Sequence, residues 1–335
     1  MSKSPEINPA PTPTPNAAPN FASSPASSSA SNLASPPALP PAVMGQRLEL
    51  QTSAGLVSFY QSNPESQGLD KPTGTPLLLV HSVNAAASVA EVAPLYDHYA
   101  STRSVYALDL PGFGFSDRSD RPYTIRLMTD AVLAMLAHIR SQHGGAAIDV
   151  LGVSLACEYV ARASCEAPSA IRKIALVSPT GFTGSKRFDG EPGSSRGIPW
   201  FYAAVSRPAW SQGLFDLLTR PAVVRYFLKR TFGREQVDES LWRYCVLSAR
   251  QPGAKHAPLY FLSAYLFAAD INTVYEKLAC PVWVSMATRG DFTNYKGRST
   301  VEHLANWKFV VMPGGALPYF EDLAAFTAQS DAFLA

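Results

Sequence analysis

Gly152-Val153-Ser154-Leu155-Ala156 is the stretch of this chain best suited to covalent chemistry. A serine hydroxyl becomes an acyl-transfer nucleophile when a base takes its proton and fixed donors hold the oxyanion that forms. It must also project from its backbone. A strand that turns sharply into a helix achieves this, and the turn needs small residues two before and two after the serine, because the two backbones run close together. Gly152 and Ala156 meet that need. The following helix would aim its first amides at negative charge near Ser154, with Leu155 N–H placed to serve an oxyanion. The same serine would also suit a plain helix N-cap, a role serine often fills. The pentapeptide alone does not separate the two, but its setting between strand and helix favours the turn.

The elements around it can be read from apolar periodicity. Ile148 to Gly152 is a short strand, and Leu155 to about Ala167 reads as the helix that follows. Pro76 to Val80, Ser104 to Leu110 and Ile171 to Ser178 are further apolar runs, as expected for strands buried on both faces. Ala85 to Ala100 reads as a helix. Thr124 to Ser141 carries the helical stripe Ile125, Met128, Val132, Met135, Leu136 and Ile139. Arg47–Leu50 and Leu56–Tyr60 flank Ser53-Ala54-Gly55 and read as a hairpin. Strands alternating with helices at this spacing predict a parallel sheet covered on both faces. The alternation breaks near Gly181 and resumes with Pro281 to Ala287, the strand Trp307 to Met312 and a last helix from about Pro318 to Leu334. The interruption, 185–272, is helical in pattern and rich in aromatics such as Trp200, Trp210, Tyr226 and Trp242.

Composition narrows the class. Residues 1–43 hold 11 of the chain's 28 prolines, and their only charged residues are Lys3 and Glu6, which predicts a disordered leader rather than a packed segment. No apolar run of signal-peptide length follows a basic start there. A net charge of +2 gives no reason to invoke nucleic acid. The four cysteines, Cys157, Cys165, Cys245 and Cys280, form neither a CxxC pair nor a metal-ligand spacing, which predicts no zinc site and suits a reducing, cytoplasmic setting. No stretch approaches the roughly 20 apolar residues of a membrane span.

The chain resembles the α/β-hydrolase superfamily, in the branch with a helical cap inserted after the sixth strand. Four stretches carry the likeness: His81-Ser82-Val83-Asn84 after the third strand, Asp109-Leu110-Pro111-Gly112-Phe113-Gly114-Phe115-Ser116-Asp117, the turn at Ser154, and Pro313-Gly314-Gly315-Ala316-Leu317-Pro318. The second, close to a D-x-P-G-x-G-x-S loop, is the most specific. The resemblance implies an α/β fold with a mostly parallel sheet of about eight strands and flanking helices. Its core would comprise 44–184 and 273–335, and its helical cap 185–272. It also implies roles. Ser154 would be the nucleophile, the backbone amides of Val83 and Leu155 would form the oxyanion hole, and Asp291 would be the triad acid. Asp291 also suits a turn residue capping the next helix. No metal or organic cofactor is implied.

Two positions depart from the pattern. Ser82 stands where a glycine is usual, and Ala316 stands where the histidine is expected. Histidine deprotonates the serine on attack and then protonates the leaving group, so its loss removes the base while binding and the oxyanion hole remain. His81, beside the turn by sequence logic, is the candidate substitute base; His256 in the cap is another. The expectation is therefore a serine-hydrolase-type enzyme with an incomplete triad, acting on an ester or related acyl bond of an apolar small molecule. The alternative is a catalytically impaired protein on the same fold that binds an apolar small molecule or acts as a scaffold.

Overall fold

Residues 38–62 and 74–335 are described by the computed structural model. The expected leader, 1–43, lies outside the described residues up to position 37. Its last residues, 38–43, do not behave as a leader. Leu39 and Val43 are buried, and Tyr60 Oη accepts from Ala42 N–H at 3.0 Å. Tyr244 Oη also donates to the carbonyl of Pro40 at 3.0 Å. Two apolar side chains and two tyrosines therefore tie residues 39–43 into the fold.

Eight strands form one sheet. They are β1 (Gln46–Thr52), β2 (Gly55–Gln61), β3 (Gly74–Val80), β4 (Arg103–Leu108), β5 (Ile148–Val153), β6 (Ile171–Val177), β7 (Val282–Ala287) and β8 (Trp307–Met312). Their order is β1-β2-β4-β3-β5-β6-β7-β8. β1 and β2 pair antiparallel around the two-residue turn Ser53-Ala54, β2 pairs antiparallel with β4, and every later pairing is parallel. All six residues of β5 are buried, as the unbroken apolar run requires of a central strand with helices on both faces. Alternation along each strand splits the core in two. Leu78, Val80, Val150, Ile174 and Leu176 pack on one face of the sheet, while Leu77, Leu79, Leu151, Ala175 and Val177 pack on the other.

The helices of the core are α1 (Ala93–Ala100), α2 (Ile125–Gln142), α3 (Ala156–Glu166) and, at the end, α10 (Leu323–Leu334). Between β6 and β7 the chain forms α4 (Pro199–Val205), α5 (Ser211–Leu218), α6 (Pro221–Phe232), α7 (Glu239–Ser248), α8 (His256–Leu262) and α9 (Ile271–Glu276). In α2 all six residues of the expected stripe are buried, and Thr124 caps the helix by accepting from Leu127 N–H at 3.1 Å. The expected helix from Ala85 does not form there. Asn84 Oδ1 accepts from Ala86 N–H at 2.8 Å, an Asx turn that competes with helix, and Ser88 is fully extended. A 3₁₀ turn over Val89–Val92 precedes α1 instead. Likewise Pro318–Phe320 is a 3₁₀ turn, and α10 starts only where Asp322 caps Ala325 N–H at 2.9 Å.

At the opposite end of β5 from Ser154 lies Asp149, fully buried. Arg103 Nη1 reaches it at 3.0 Å, and Arg172 grips it with Nε at 2.9 Å and Nη2 at 2.7 Å. A buried carboxylate shared by two guanidinium groups ties β4, β5 and β6 at one level. Removing one partner of such a cluster strands the rest without compensation. Asp149→Ala is expected to lower the unfolding free energy by about 3 kcal/mol or more, read from urea denaturation. Asp149→Asn, which keeps two hydrogen-bonding atoms, is expected to cost less.

Candidate active site

Ser154 sits directly past β5 with φ of 53°, in the left-handed region that L residues with a Cβ avoid. Its N–H donates to Val177 O at 2.8 Å, which locks the turn to the end of β6. Helix α3 begins two residues later. A Cβ placed on Gly152 would lie 3.2 Å from Val160 Cγ2 and 3.4 Å from the Cys157 backbone, so strand and helix pass as closely as a small residue permits. Ser154 is half-buried, and its Oγ has no hydrogen-bond partner among the described residues. A serine acting only as an N-cap would accept a backbone N–H, and this one accepts none. The amides of Leu155 and Val83 likewise have no protein acceptor among the described residues.

The loop after β3 is held rigidly. His81 is fully buried; its Nε2 accepts from Leu110 N–H at 3.0 Å, and its Nδ1 donates to Ser82 O at 2.6 Å. Both ring nitrogens are therefore engaged by backbone, and the tautomer is fixed with the proton on Nδ1. No imidazole nitrogen is left to accept a proton from Ser154, which removes His81 as the substitute base. Asp109 braces the neighbouring loop. Its Oδ1 accepts from Val89 N–H and its Oδ2 from Phe115 N–H, each at 3.0 Å, while any side chain on Gly114 (φ 51°) would overlap its carboxyl group.

One residue of the site was not legible in the sequence. Glu91 is buried, and its Oε2 accepts from Ser82 N–H at 3.0 Å while Oε1 accepts from Asn84 Nδ2 at 2.6 Å. Asn84 Nδ2 also donates to Ser82 Oγ at 3.1 Å, and Tyr319 Oη donates to Glu91 O at 2.7 Å. Ser82 thus does not crowd the loop. Its hydroxyl and amide are both absorbed into a network that clamps the chain on either side of Val83. A lone acidic residue inside Ser88-Val89-Ala90-Glu91-Val92 was the available signal.

Position 316 is sealed. Ala316 is buried, its N–H donates to Thr231 O at 2.8 Å, and its carbonyl accepts from Ser178 Oγ at 3.0 Å. The last turn of α6 presses on this loop so closely that a side chain on Gly315 would overlap Thr231 and Phe232. Asp291 is placed by the same helix. Its carboxylate is 44 % exposed and is held by Arg230 through two contacts of 2.7 Å, and its N–H donates to Arg230 O at 3.3 Å. The hydrogen bonds of Asp291 thus go to the cap rather than to the serine turn. The remaining histidines are engaged or distant in contact terms. His98 meets Asp331, His143 meets Tyr106 Oη, His138 packs edge-on against Phe59, His256 pairs with Asp120, and His303 is exposed. Burial pulls the His256 pKa below its ordinary value, against the opposing pull of Asp120. None of the six histidines hydrogen-bonds to Ser154. A cavity of about 240 Å³ opens within the cap beside Phe215 and Lys255, and another of about 600 Å³ opens beside Phe188 and Arg196; neither is lined by Ser154.

If the Glu91 carboxylate fixes the loop at Val83, Glu91→Ala should leave the Ser82 amide buried and unpaired. The expected cost is about 2 kcal/mol in thermal or urea unfolding. Gly152→Val should be costlier still, because the added methyls meet Val160 and the α3 backbone.

With this geometry in view, the chain can be set beside known proteins. Residues 75–229 match the family described as alpha/beta hydrolase fold. A curated relative, the dihydrolipoyllysine-residue acetyltransferase component of the acetoin cleaving system of Pseudomonas putida, is 28 % identical over 198 residues, covering 55 % of this chain and 47 % of the relative. The chain thus spans about half the length of that relative. Similar solved structures include an enol-lactonase from Burkholderia xenovorans, at 16 % identity and a TM-score of 0.64, covering 86 % of this chain and 99 % of that one. A putative lipase from Acinetobacter baumannii is 17 % identical with a TM-score of 0.63, covering 87 % and 91 %. Sheet order, strand-to-helix turn and these matches agree that the chain is an α/β-hydrolase-fold protein.

Proposed function

We propose that this chain is a serine-hydrolase-type enzyme that acts on an ester or related acyl bond of an apolar small molecule. Ser154 is the nucleophile in this reading, the Leu155 and Val83 amides hold the oxyanion, and Asp291 is the acid once released from Arg230. The observation that carries the reading is the backbone of Ser154. A residue with a Cβ held at φ of 53° costs on the order of 1–3 kcal/mol, and such strain persists where the surroundings enforce it. Here it carries an unpartnered hydroxyl, and the amide of the next residue, Leu155, is likewise without an acceptor among the described residues. The names of two structural neighbours, a lactonase and a lipase, fit an acyl substrate.

Attack would form the bond from Ser154 Oγ to the acyl carbon as the Oγ proton passes to solvent water, and the carbonyl oxygen would take the negative charge. Collapse would break the ester C–O bond, and the leaving alkoxide would take a proton from water. A second water would hydrolyse the acyl-serine to the acid and restore the hydroxyl. With no imidazole at Oγ, the rate would stay near the residual ~10³–10⁴-fold over water that binding and the oxyanion hole supply. The same lack is what a second reading rests on, a catalytically impaired protein of this fold that binds an apolar small molecule or acts as a scaffold.

A fluorophosphonate probe and p-nitrophenyl esters separate the two. Labelling of the parent that is lost in Ser154→Ala supports the enzyme; no labelling under prolonged exposure supports the binding protein. Restoring the base tests the acid as well. Ala316→His alone is expected to gain little, because Arg230 still occupies Asp291. Ala316→His combined with Arg230→Ala is expected to raise ester turnover by roughly 10²-fold or more, the range of a positioned general base. An equal gain from Ala316→His alone would remove Asp291 from the acid role.

A further inference from the structure

The cap exposes several large apolar side chains. Trp200 is 73 % exposed, Tyr226 and Phe227 are each 52 % exposed, and Trp210 and Leu217 are each 48 % exposed. All five lie on or beside α4, α5 and α6. The segments are linked: Trp210 Nε1 donates to Ala204 O at 2.9 Å, joining the end of α4 to the start of α5, and the ring of Trp200 meets that of Phe201. Tyr226 and Phe227 also meet edge to face, with ring centroids 5.4 Å apart, so the exposed rings come in neighbouring groups rather than singly.

Charge accompanies them. Residues 199–262 contain nine Lys or Arg and four Asp or Glu, a net of +5, against +2 for the whole chain. Three of the four acids, Glu235, Asp238 and Glu239, cluster at the α6–α7 connection. Arg207 lies over the Trp210 ring at 5.5 Å, and Arg220, Arg243 and Arg207 form no ion pair among the described residues. Tryptophan and tyrosine flanked by arginine favour one environment in particular, the boundary between anionic head groups and acyl chains. There the ring bodies leave water, the polar ring edges keep hydrogen bonds, and the guanidinium groups meet phosphate. No helix among the described residues is long and apolar enough to cross a membrane, so the contact would be interfacial.

We propose that the α4–α7 segment of the cap, which exposes Trp200, Trp210, Leu217, Tyr226 and Phe227 and holds Arg207, Arg220 and Arg243 outside any ion pair among the described residues, docks on an anionic lipid surface. A second copy of the chain would find the same positive charge repelling its own, whereas a lipid surface supplies both the apolar phase and the opposite charge. The inference does not depend on whether Ser154 is catalytic.

The full chain is mixed with large vesicles of phosphatidylcholine, with or without about 30 % phosphatidylglycerol, and sedimented. The expected result is sedimentation with the anionic vesicles, a blue shift of tryptophan emission, and loss of binding as salt rises. Trp200→Ser combined with Tyr226→Ser and Phe227→Ser should weaken binding roughly tenfold or more, with the variant still folded by circular dichroism. Tyr226 also accepts from Arg230 at 3.0 Å, so Trp200→Ser alone, at the most exposed ring, should weaken binding in the same direction. Arg220→Glu with Arg243→Glu should weaken binding to anionic vesicles and lower its salt dependence. Absence of binding to either vesicle, binding unaffected by these variants, or a dimer in sedimentation velocity that the triple serine variant abolishes would each overturn the proposal.

Discussion

One left-handed residue turns the chain from β5 into α3, and the rest of the candidate site is arranged around it. Because Ser154 cannot relax to an ordinary conformation without moving either the strand or the helix, its neighbours must hold both. Gly152 lets α3 approach to van der Waals contact, and the Ser154 N–H is fastened to β6. The central position of β5, buried along its whole length, gives that turn a rigid foundation. The Asp149 cluster at the far end of the strand anchors it against sliding.

The loops at the head of the sheet are tied to one another through buried polar atoms. His81 joins the β3 loop to the β4 loop, Asp109 joins the β4 loop to the turn before α1, and Glu91 joins that turn back to Ser82 and Asn84. Each of these groups accepts from a backbone amide, and Glu91 also takes the Asn84 side-chain amide while His81 donates to the Ser82 carbonyl. The consequence is an immobile frame around the serine with its titratable members committed to structure. This is why the histidine of the β3 loop is not free to act as a base: both of its ring nitrogens are engaged by backbone.

Much of this was readable before any coordinates. Strands such as β5 and β6 announce themselves because a strand buried on both faces must be apolar throughout, and α2 because one helix face must be. The tight turn was readable because the close approach of strand and helix calls for a small residue at 152. What escaped depends on partners distant in the chain. Asp291 looks like a triad acid in its own segment, but its carboxylate is claimed by Arg230, 61 positions away. Glu91 looks like a polar gap in an apolar stretch, and its meaning appears only when Ser82 and Asn84 fold over it. Ala85 to Ser88 has helical composition, yet the Asn84 side chain diverts the backbone first. The end of the leader failed for a similar reason, since Leu39 and Val43 find partners supplied by the core and the cap.

The seam where the last turn of α6 meets the loops after β7 and β8 is built from glycine. A side chain on Gly233 would overlap Arg289 and Gly290, one on Gly290 would overlap Arg230, and one on Gly315 would overlap Thr231 and Phe232. Lid and body are consequently matched to each other at the level of single atoms along this line. A chimaera that transplanted 185–272 onto another scaffold of this architecture would collide there unless the recipient also carried glycine at the facing positions. The inserted region and those two loops must therefore be inherited, or engineered, as one cassette.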